Sequence, residues 1–539
     1  MKERAESTEP GRRSGWQRVL GWMPIIVIVL GVLAHCTTGD SSSQPTFHLL
    51  TGSENRELDP IIQRFAKQED VTIETSYQGS VDTMITIQQG AKDYDAIWPA
   101  SSLWVTLGNT GNVVTKSQSI MRTPVIFAVK RPVAKKLGWV GRNVTVEEIL
   151  AAVEAGQLHY MMTSATQSNS GAMAYLGYLY AFADQPPVLT SAMLHDPTVL
   201  DKTKRILNAV NRSAGASGYL KDLFLQHYDE YDGMVNNESA VISANQQLVI
   251  EGKEPLYAIY PKDGLAIADW PLGFVDHGEA DKAEFFAKFQ AYLLSEDVQQ
   301  ELLGKGRRTG LGPNPVGADP NVFNPDWGID VNRVIQPITL PPADVINEAL
   351  TLYQTTLRKP SLTIYCLDFS SSMKGKGEDQ LKAAMEILLD PDQSSRYLLQ
   401  PSPGDITVVI PFTSEVLDTW RANGSDLTTL LELVTTQEIG GGTNIYAPVI
   451  AGLDAMNGIN LDDYSPAIIL MTDGQSNSGS FNDLQARLGA SPDAVPVYAV
   501  LFGDASEKQL KVITGATSGD MFDGRKDLIG AMRKAKGYN

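Results

Sequence analysis

The run Leu362-Thr363-Ile364-Tyr365-Cys366-Leu367, followed at once by Asp368-Phe369-Ser370-Ser371-Ser372, decides the reading of the second half of this chain. An almost wholly apolar run of that length suits the central strand of a parallel sheet covered on both faces. In open α/β sheets the ligand crevice lies at the carboxyl ends of the strands. Asp368 and the serines therefore emerge where a ligand would sit. Helical periodicity follows in QLKAAMEILL at 380–389.

Two later segments have the same form. Pro466-Ala467-Ile468-Ile469-Leu470-Met471-Thr472 reads as a second buried strand, and it ends in Asp473-Gly474. Gly440-Gly441-Gly442-Thr443 is a flexible turn before the helical stretch at 444–457, and its glycines let Thr443 face the same crevice. Three loops thus offer two carboxylates, Asp368 and Asp473, and three hydroxyls, Ser370, Ser372 and Thr443. These are hard oxygen donors with no thiolate or imidazole among them. They suit Mg²⁺, with Mn²⁺ and Ca²⁺ as alternatives, and not Zn²⁺. Such a set leaves coordination positions for water and for one outside ligand, such as a partner's carboxylate.

DFSSS, GGT and TDG in this order resemble the DxSxS…T…D metal-ion-dependent adhesion site of von Willebrand factor A domains. The similarity runs over about 170 residues and takes in PVYAVLFG at 496–503 and RKDLIGAMRKAKG at 525–537. The resemblance implies a doubly wound, mostly parallel, Rossmann-like domain over 359–539. It also implies that Ser370 and Ser372 ligate directly, and that Asp368, Thr443 and Asp473 ligate directly or through water. A metal-free loop is the plain alternative, since acidic and hydroxyl residues crowd loops for turn and capping reasons.

Catalytic readings fare worse. A haloacid dehalogenase-like phosphatase would carry a second Asp where Ser370 stands. KGKGED at 374–379 is not a phosphate-binding P-loop, and GQSNSG at 474–479 does not give GxSxG. The six histidines show no HExxH spacing, and none lies in the second domain. The expected role is binding, not catalysis.

Upstream, strands and helices alternate from Thr46 onward, which implies α/β units with mostly parallel sheets. TGSENRELDPIIQRFAKQE at 51–69, YDAIWPASS at 94–102, TSATQSNSGAMAYLGYLYAFA at 163–183, NNESAVISANQQL at 236–248 and YPKDGLAIADWPL at 260–272 resemble extracellular solute-binding proteins of the two-lobed periplasmic type. The ending FFAKFQAYLLSEDVQQELLGKGRRTG at 285–310 fits as well. That resemblance implies a two-lobed domain over 46–318 with a cleft for a small solute, an anion such as phosphate or molybdate being the class suggested. Ser53, Ser101, Ser168 and Ser170 each fall near a strand–helix junction, where free N–H groups and the helix dipole suit anions. Each serine is also a preferred helix cap with no ligand at all. Glu238 and Asp269 count against an anion if they line the cleft. Trp98 and Trp270 read as core residues.

Residues 319–358, rich in Pro, Asp and Asn before a helical stretch at 344–357, read as a linker and connecting helix. At the other end, Arg12, Arg13 and Arg18 in the basic segment 1–18 precede the apolar run at 19–35. Positive charge stays on the cytoplasmic side, so the bulk of the chain is expected outside the membrane, tethered by 37–45. Two readings of the run stay open: an uncleaved signal anchor, or a lipoprotein signal with Cys36 as the lipidated residue. His35 departs from the lipobox pattern. The domain pairing suggests a bacterial source. A net charge of −19 over 539 residues argues against nucleic-acid binding. The expected partners are a protein engaged through the metal, a small solute and the membrane. The alternatives are a solute receptor for an ABC-type importer and a metal-dependent hydrolase.

Overall fold

A computed structural model describes residues 44–309, 317–333, 335–490, 495–503 and 505–537. The predicted anchor at 19–35 and Cys36 lie outside the described residues. Among the described residues no helix is long and apolar enough to cross a membrane.

The chain begins in one lobe with β1 (Thr46–Gly52), β2 (Thr72–Gln78), β3 (Ala96–Trp98) and β4 (Val114–Ser119). It crosses to a second lobe for β5 (Thr123–Lys130), β6 (Tyr160–Thr163), β7 (Val210–Ala214), β8 (Gly233–Asn237), β9 (Leu256–Ile259) and β10 (Ile267–Ala268). It then returns with β11 (Pro271–Val275) to complete the first sheet. The strand orders are β2-β1-β3-β11-β4 in the first lobe and β10-β5-β8-β6-β7 in the second, with β9 also on β5. Both sheets are mixed. β11 runs antiparallel to β3 and β4, and β5 antiparallel to β8 and β9. The mostly parallel reading of this half therefore holds for β1, β2 and β3 and for β6, β7 and β8 but not throughout. Trp98 and Trp270 are fully buried, as their apolar bulk predicts.

The second domain has one six-stranded sheet of order β14-β13-β12-β15-β16-β17. Its strands are β12 (Ser361–Asp368), β13 (Ile406–Phe412), β14 (Trp420–Asn423), β15 (Ser465–Thr472), β16 (Val497–Leu501) and β17 (Met521–Asp523). All pairs are parallel except β13 with β14. Every residue of β12 is buried. Leu362, Ile364 and Cys366 pack with Val449, Ile468 and Leu470 on one face, while Tyr365 and Leu367 pack with Met385, Ile469 and Met532 on the other. This two-sided burial is why the strand reads as a continuous apolar run without alternation. Burial also pushes the Cys366 thiol well above its usual range.

The connecting segment is more than a linker. Phe323, Trp327 and Ile329 join the apolar core of the second lobe. The helix Ala343–Leu352 and the π-helical turn Tyr353–Leu357 that continues it lie against that lobe as well. There Tyr175 donates from its hydroxyl to the Ala349 carbonyl at 2.8 Å, and its ring meets Tyr353.

Candidate functional site

At the carboxyl end of β12 the chain turns through Phe369 and Ser370 into a short 3-10 turn, Ser371–Met373, ahead of the helix Lys376–Leu389. The neighbouring strand β15 ends alongside, so Asp368 and Asp473 leave the sheet side by side. The third loop is tied to both. Gly440 N donates to the Phe369 carbonyl at 2.8 Å, and Ser371 N donates to the Gly441 carbonyl at 3.1 Å. Thr443 N donates to Asn477 Oδ1 at 3.2 Å, and Asn477 N returns a bond to the Thr443 carbonyl at 3.0 Å. Gly441 takes φ 81°, the left-handed region that glycine enters without penalty, as the glycine-rich turn predicts.

These ties bring the side chains together. Ser370 Oγ and Ser372 Oγ are 3.0 Å apart, and Ser372 Oγ donates to Asp473 Oδ1 at 2.9 Å. Asp368 stands behind them, fully buried. Its Oδ1 accepts from Ser370 N at 2.8 Å, and its Oδ2 accepts from the Thr472 hydroxyl at 2.6 Å. A Cβ added at Gly474 would lie 3.0 Å from Ser372 Oγ and 3.3 Å from Thr443 Oγ1. That glycine therefore keeps open a cradle between the two hydroxyls. Desolvation raises the Asp368 carboxyl, and the nearby Asp473 charge adds to the rise, against the hydrogen bonds from Thr472 and Ser370. A cation in the cradle would favour the charged carboxylate against both raising causes. The donors are hard oxygens, and among the described residues no group of three His, Cys, Asp or Glu side chains offers an alternative centre. The residues present fit a divalent ion of the Mg²⁺ kind. Thr472 and Asn477, which hold Asp368 and Thr443 in place, were not singled out in the sequence, because a buried threonine and a loop asparagine carry no spacing signal.

In the first domain the two lobes meet face to face. Ser53 Oγ, just past β1, accepts from Gly218 N of the second lobe at 3.2 Å. Asn237 Nδ2 donates across to Glu54 Oε1 at 2.8 Å, and Trp104 Nε1 donates to Asn169 Oδ1 at 2.8 Å. Ser101 caps the helix Ser102–Gly108, its hydroxyl accepting from Leu103 N at 3.2 Å. Ser168 and Ser170 are buried in a hydroxyl chain with Ser217 and Thr163: Ser170 Oγ lies 2.6 Å from Ser217 Oγ and 2.9 Å from Thr163 Oγ1. Ser168 Oγ lies 3.1 Å from Ser217 Oγ.

A cavity of about 150 Å³ remains at this junction, lined among others by Ser53, Glu54, Glu57, Gly218, Lys221 and Arg307. Ser53 is the one predicted serine in its wall. Arg307 donates to the Glu54 carbonyl at 2.9 Å, while its Nε and the side-chain Oδ1 of Asn237 have no hydrogen-bond partner although both are buried. The Glu57 carboxyl is itself desolvated, yet Arg307 and Lys221 hold it below its usual range. Glu238 and Asp269 are engaged elsewhere. Glu238 pairs with Arg308 at 2.7 and 2.9 Å, and Asp269 accepts from Ser102 N at 2.7 Å. The acids beside the cavity are Glu54, Glu57 and Asp222, which the sequence did not distinguish from surface carboxylates.

Residues 51–308 match the family described as bacterial extracellular solute-binding protein. This stretch is a solute-binding domain. The family is one of extracellular proteins, which puts the solute-binding domain outside the cytoplasm and gives it a small-molecule ligand. Among solved structures, the sulfate-binding protein SubI from Mycobacterium tuberculosis is 16% identical with TM-score 0.40, covering 56% of this chain and 96% of that one. The von Willebrand factor type A structure from Catenulispora acidiphila is 19% identical with TM-score 0.28, covering 34% of this chain and 44% of that one. The human inter-alpha-trypsin inhibitor heavy chain H6 is 24% identical over 163 residues, 27% of this chain. The matched stretch spans only 11% of that curated relative's length. The match of residues 51–308 to a solute-binding family suggests an extracytoplasmic binding role.

Proposed function

We propose that this protein is a membrane-tethered binding protein in which the second domain holds Mg²⁺, with Mn²⁺ or Ca²⁺ as alternatives, and offers it to an acidic residue of a protein partner. The solute-binding domain closes around a small polar solute. The observation that carries the metal reading is the convergence of Ser370, Ser372 and Asp473 within hydrogen-bond reach, with Asp368 directly behind and Thr443 across the Gly474 cradle. When bound, the ion supplies a hard Lewis-acidic point that a carboxylate oxygen can complete. Ser370, Ser372 and Thr443 are neutral donors, so Asp368 and Asp473 balance the charge of the ion and leave a coordination position for an outside oxygen.

In the solute cleft, the partnerless Nε of the cavity-lining Arg307 supports a polar ligand. Arg307 and Lys221 face Glu54 and Glu57 there, and this balance suits a solute of mixed charge better than a bare anion. Tethering rests on the apolar run at 19–35, as anchor or as lipoprotein signal at Cys36. Mass spectrometry of the mature protein separates a diacylated Cys36 from an intact Met1 terminus.

The deciding experiment is calorimetric titration of the full chain with Mg²⁺. Asp368→Ala should lose binding while remaining folded, and unchanged affinity in that variant would sink the reading. The importer-receptor alternative gains if a solute is retained by the purified protein and no metal-dependent partner is captured. A hydrolase would be revealed by phosphoester turnover that disappears in Asp473→Ala.

A further inference from the structure

The last helix of the second domain, Leu528–Gly537, is fixed to its own sheet by Leu528, Ala531, Met532 and Ala535, all buried. Its polar edge reaches the seam between the two lobes of the solute-binding domain. Arg533, 8% exposed, pairs through Nη2 with Asp82 Oδ1 at 2.5 Å. Asp82 lies in the first-lobe helix Ser80–Gln88 and is itself 9% exposed. The carbonyl of the same Arg533 accepts from Gln167 Nε2 at 2.9 Å, and Gln167 belongs to the second lobe. The Gln167 carbonyl in turn accepts from Val81 N, next to Asp82, at 3.3 Å. One residue of the second domain therefore holds both lobes at the point where they touch.

The approach is tight on the second-lobe side. A Cβ at Gly537 would fall 1.6 Å from Gln167 Oε1, so a larger residue there would have to push the Gln167 side chain aside. The second domain is also bound to that lobe through Thr166, whose hydroxyl donates to Gln354 Oε1 at 3.0 Å, while Gln354 Nε2 donates to the Gln400 carbonyl at 2.8 Å. The second domain thus travels with the second lobe. Its tie to the first lobe at this seam is a buried ion pair, which must be broken if the lobes part. Parting the lobes gives up this pair and lets water reach both charges, so the closed state is favoured by what the pair and its hydrogen bonds gain over their desolvation.

We propose that Arg533 is a latch: by pairing with Asp82 of the first lobe while Gln167 of the second lobe holds its carbonyl, it keeps the solute cleft shut, and the cleft opens only when the closing helix of the second domain releases Asp82. This rests on the reading of the first domain as a solute cleft. A solute favouring the closed form would strengthen the docking of the second domain, and a partner that displaces the closing helix would loosen the cleft.

The test needs neither solute nor partner. Spin labels are placed on the full chain at Gln68→Cys in the first lobe and Lys204→Cys in the second, both exposed, in a Cys36→Ser background; Cys366 is buried and unreactive. Electron–electron resonance should give one short interlobe distance for the latched chain. Arg533→Ala and Asp82→Asn should each shift most of the population to a longer distance. Asp82→Asn reads the contact from the other lobe, so a folding failure of one variant leaves the other decisive, with melting curves to confirm that the variant is folded. An unchanged distance distribution in both folded variants overturns the latch. The solute reading is decided separately, by titration of candidate solutes into the unlabelled chain, so the two can fail independently.

Discussion

Thr472 and Asp368 end adjacent parallel strands, and the Thr472 hydroxyl donates to Asp368 Oδ2 at 2.6 Å. The donor is buried, and it aims the carboxylate that lies behind the serine hydroxyls. Thr472→Val keeps the shape of the side chain and removes the bond. Outer partners of this kind typically contribute about 10–100-fold to metal affinity. Calorimetry should therefore show Mg²⁺ binding weakened by about that factor in Thr472→Val. Wild-type affinity would mean that Asp368 is oriented by the backbone alone.

Gly474 tests the cradle itself. Its backbone is ordinary, so the methyl of Gly474→Ala would act through contact with Ser372 Oγ and Thr443 Oγ1 rather than through strain. Mg²⁺ affinity should drop by about tenfold, equivalent to about 1.4 kcal/mol, with little change in melting temperature. A large loss of stability at unchanged affinity would assign the glycine to packing.

Asp405 concerns the fold rather than the site. It is buried beneath β12, pairs with Arg358 at 2.5 Å and accepts from Ser361 N at 2.7 Å and Ser402 N at 2.8 Å. Burial alone would raise its carboxyl, but the Arg358 guanidinium and these bonds outweigh it and bring the value down to about 2. A lowered folded value means stability that is complete above the unfolded carboxylate range near pH 4 and is lost as pH falls through about 2. The shift corresponds to about 2 kcal/mol. Acid unfolding of Asp405→Asn should lack that slope between pH 4 and 2. At neutral pH the variant should be destabilised by about 3–5 kcal/mol, since it leaves Arg358 buried without its counter-charge. Equal acid sensitivity in variant and wild type would refute the assignment.

Ser101 separates capping from ligand contact. Its hydroxyl already accepts from Leu103 N, so Ser101→Ala should cost about 1 kcal/mol in urea unfolding. No loss would leave the hydroxyl free for another role.

The pattern of residues alone carried the second domain. Leu362 to Leu367 and Ala467 to Met471 are apolar without alternation because both faces of a central parallel strand are covered, and a chain must spell that burial out residue by residue. Asp368, Asp473 and the glycine turn before Thr443 were legible for the same reason: the ends of such strands are where polar residues first become tolerable. The candidate metal site was accordingly readable as a set of donors, though its supports Thr472 and Asn477 were not.

The cleft was legible only as a fold. Ser53 lines the cavity, whereas Ser101 caps a helix and Ser168 and Ser170 bond to Ser217; which serine does which depends on approaches between residues far apart in the chain. Glu54, Asn237 and Arg307 become neighbours only when β1, β8 and the segment after β11 are folded together. Arg533 is the plainest case. In the sequence it is one more basic residue in a closing helix, and only the packing of that helix against the lobe seam brings it to Asp82, 451 positions earlier. Hydrophobic periodicity records what a residue's own element must bury, and it holds no record of which charge on a distant element will be desolvated beside it.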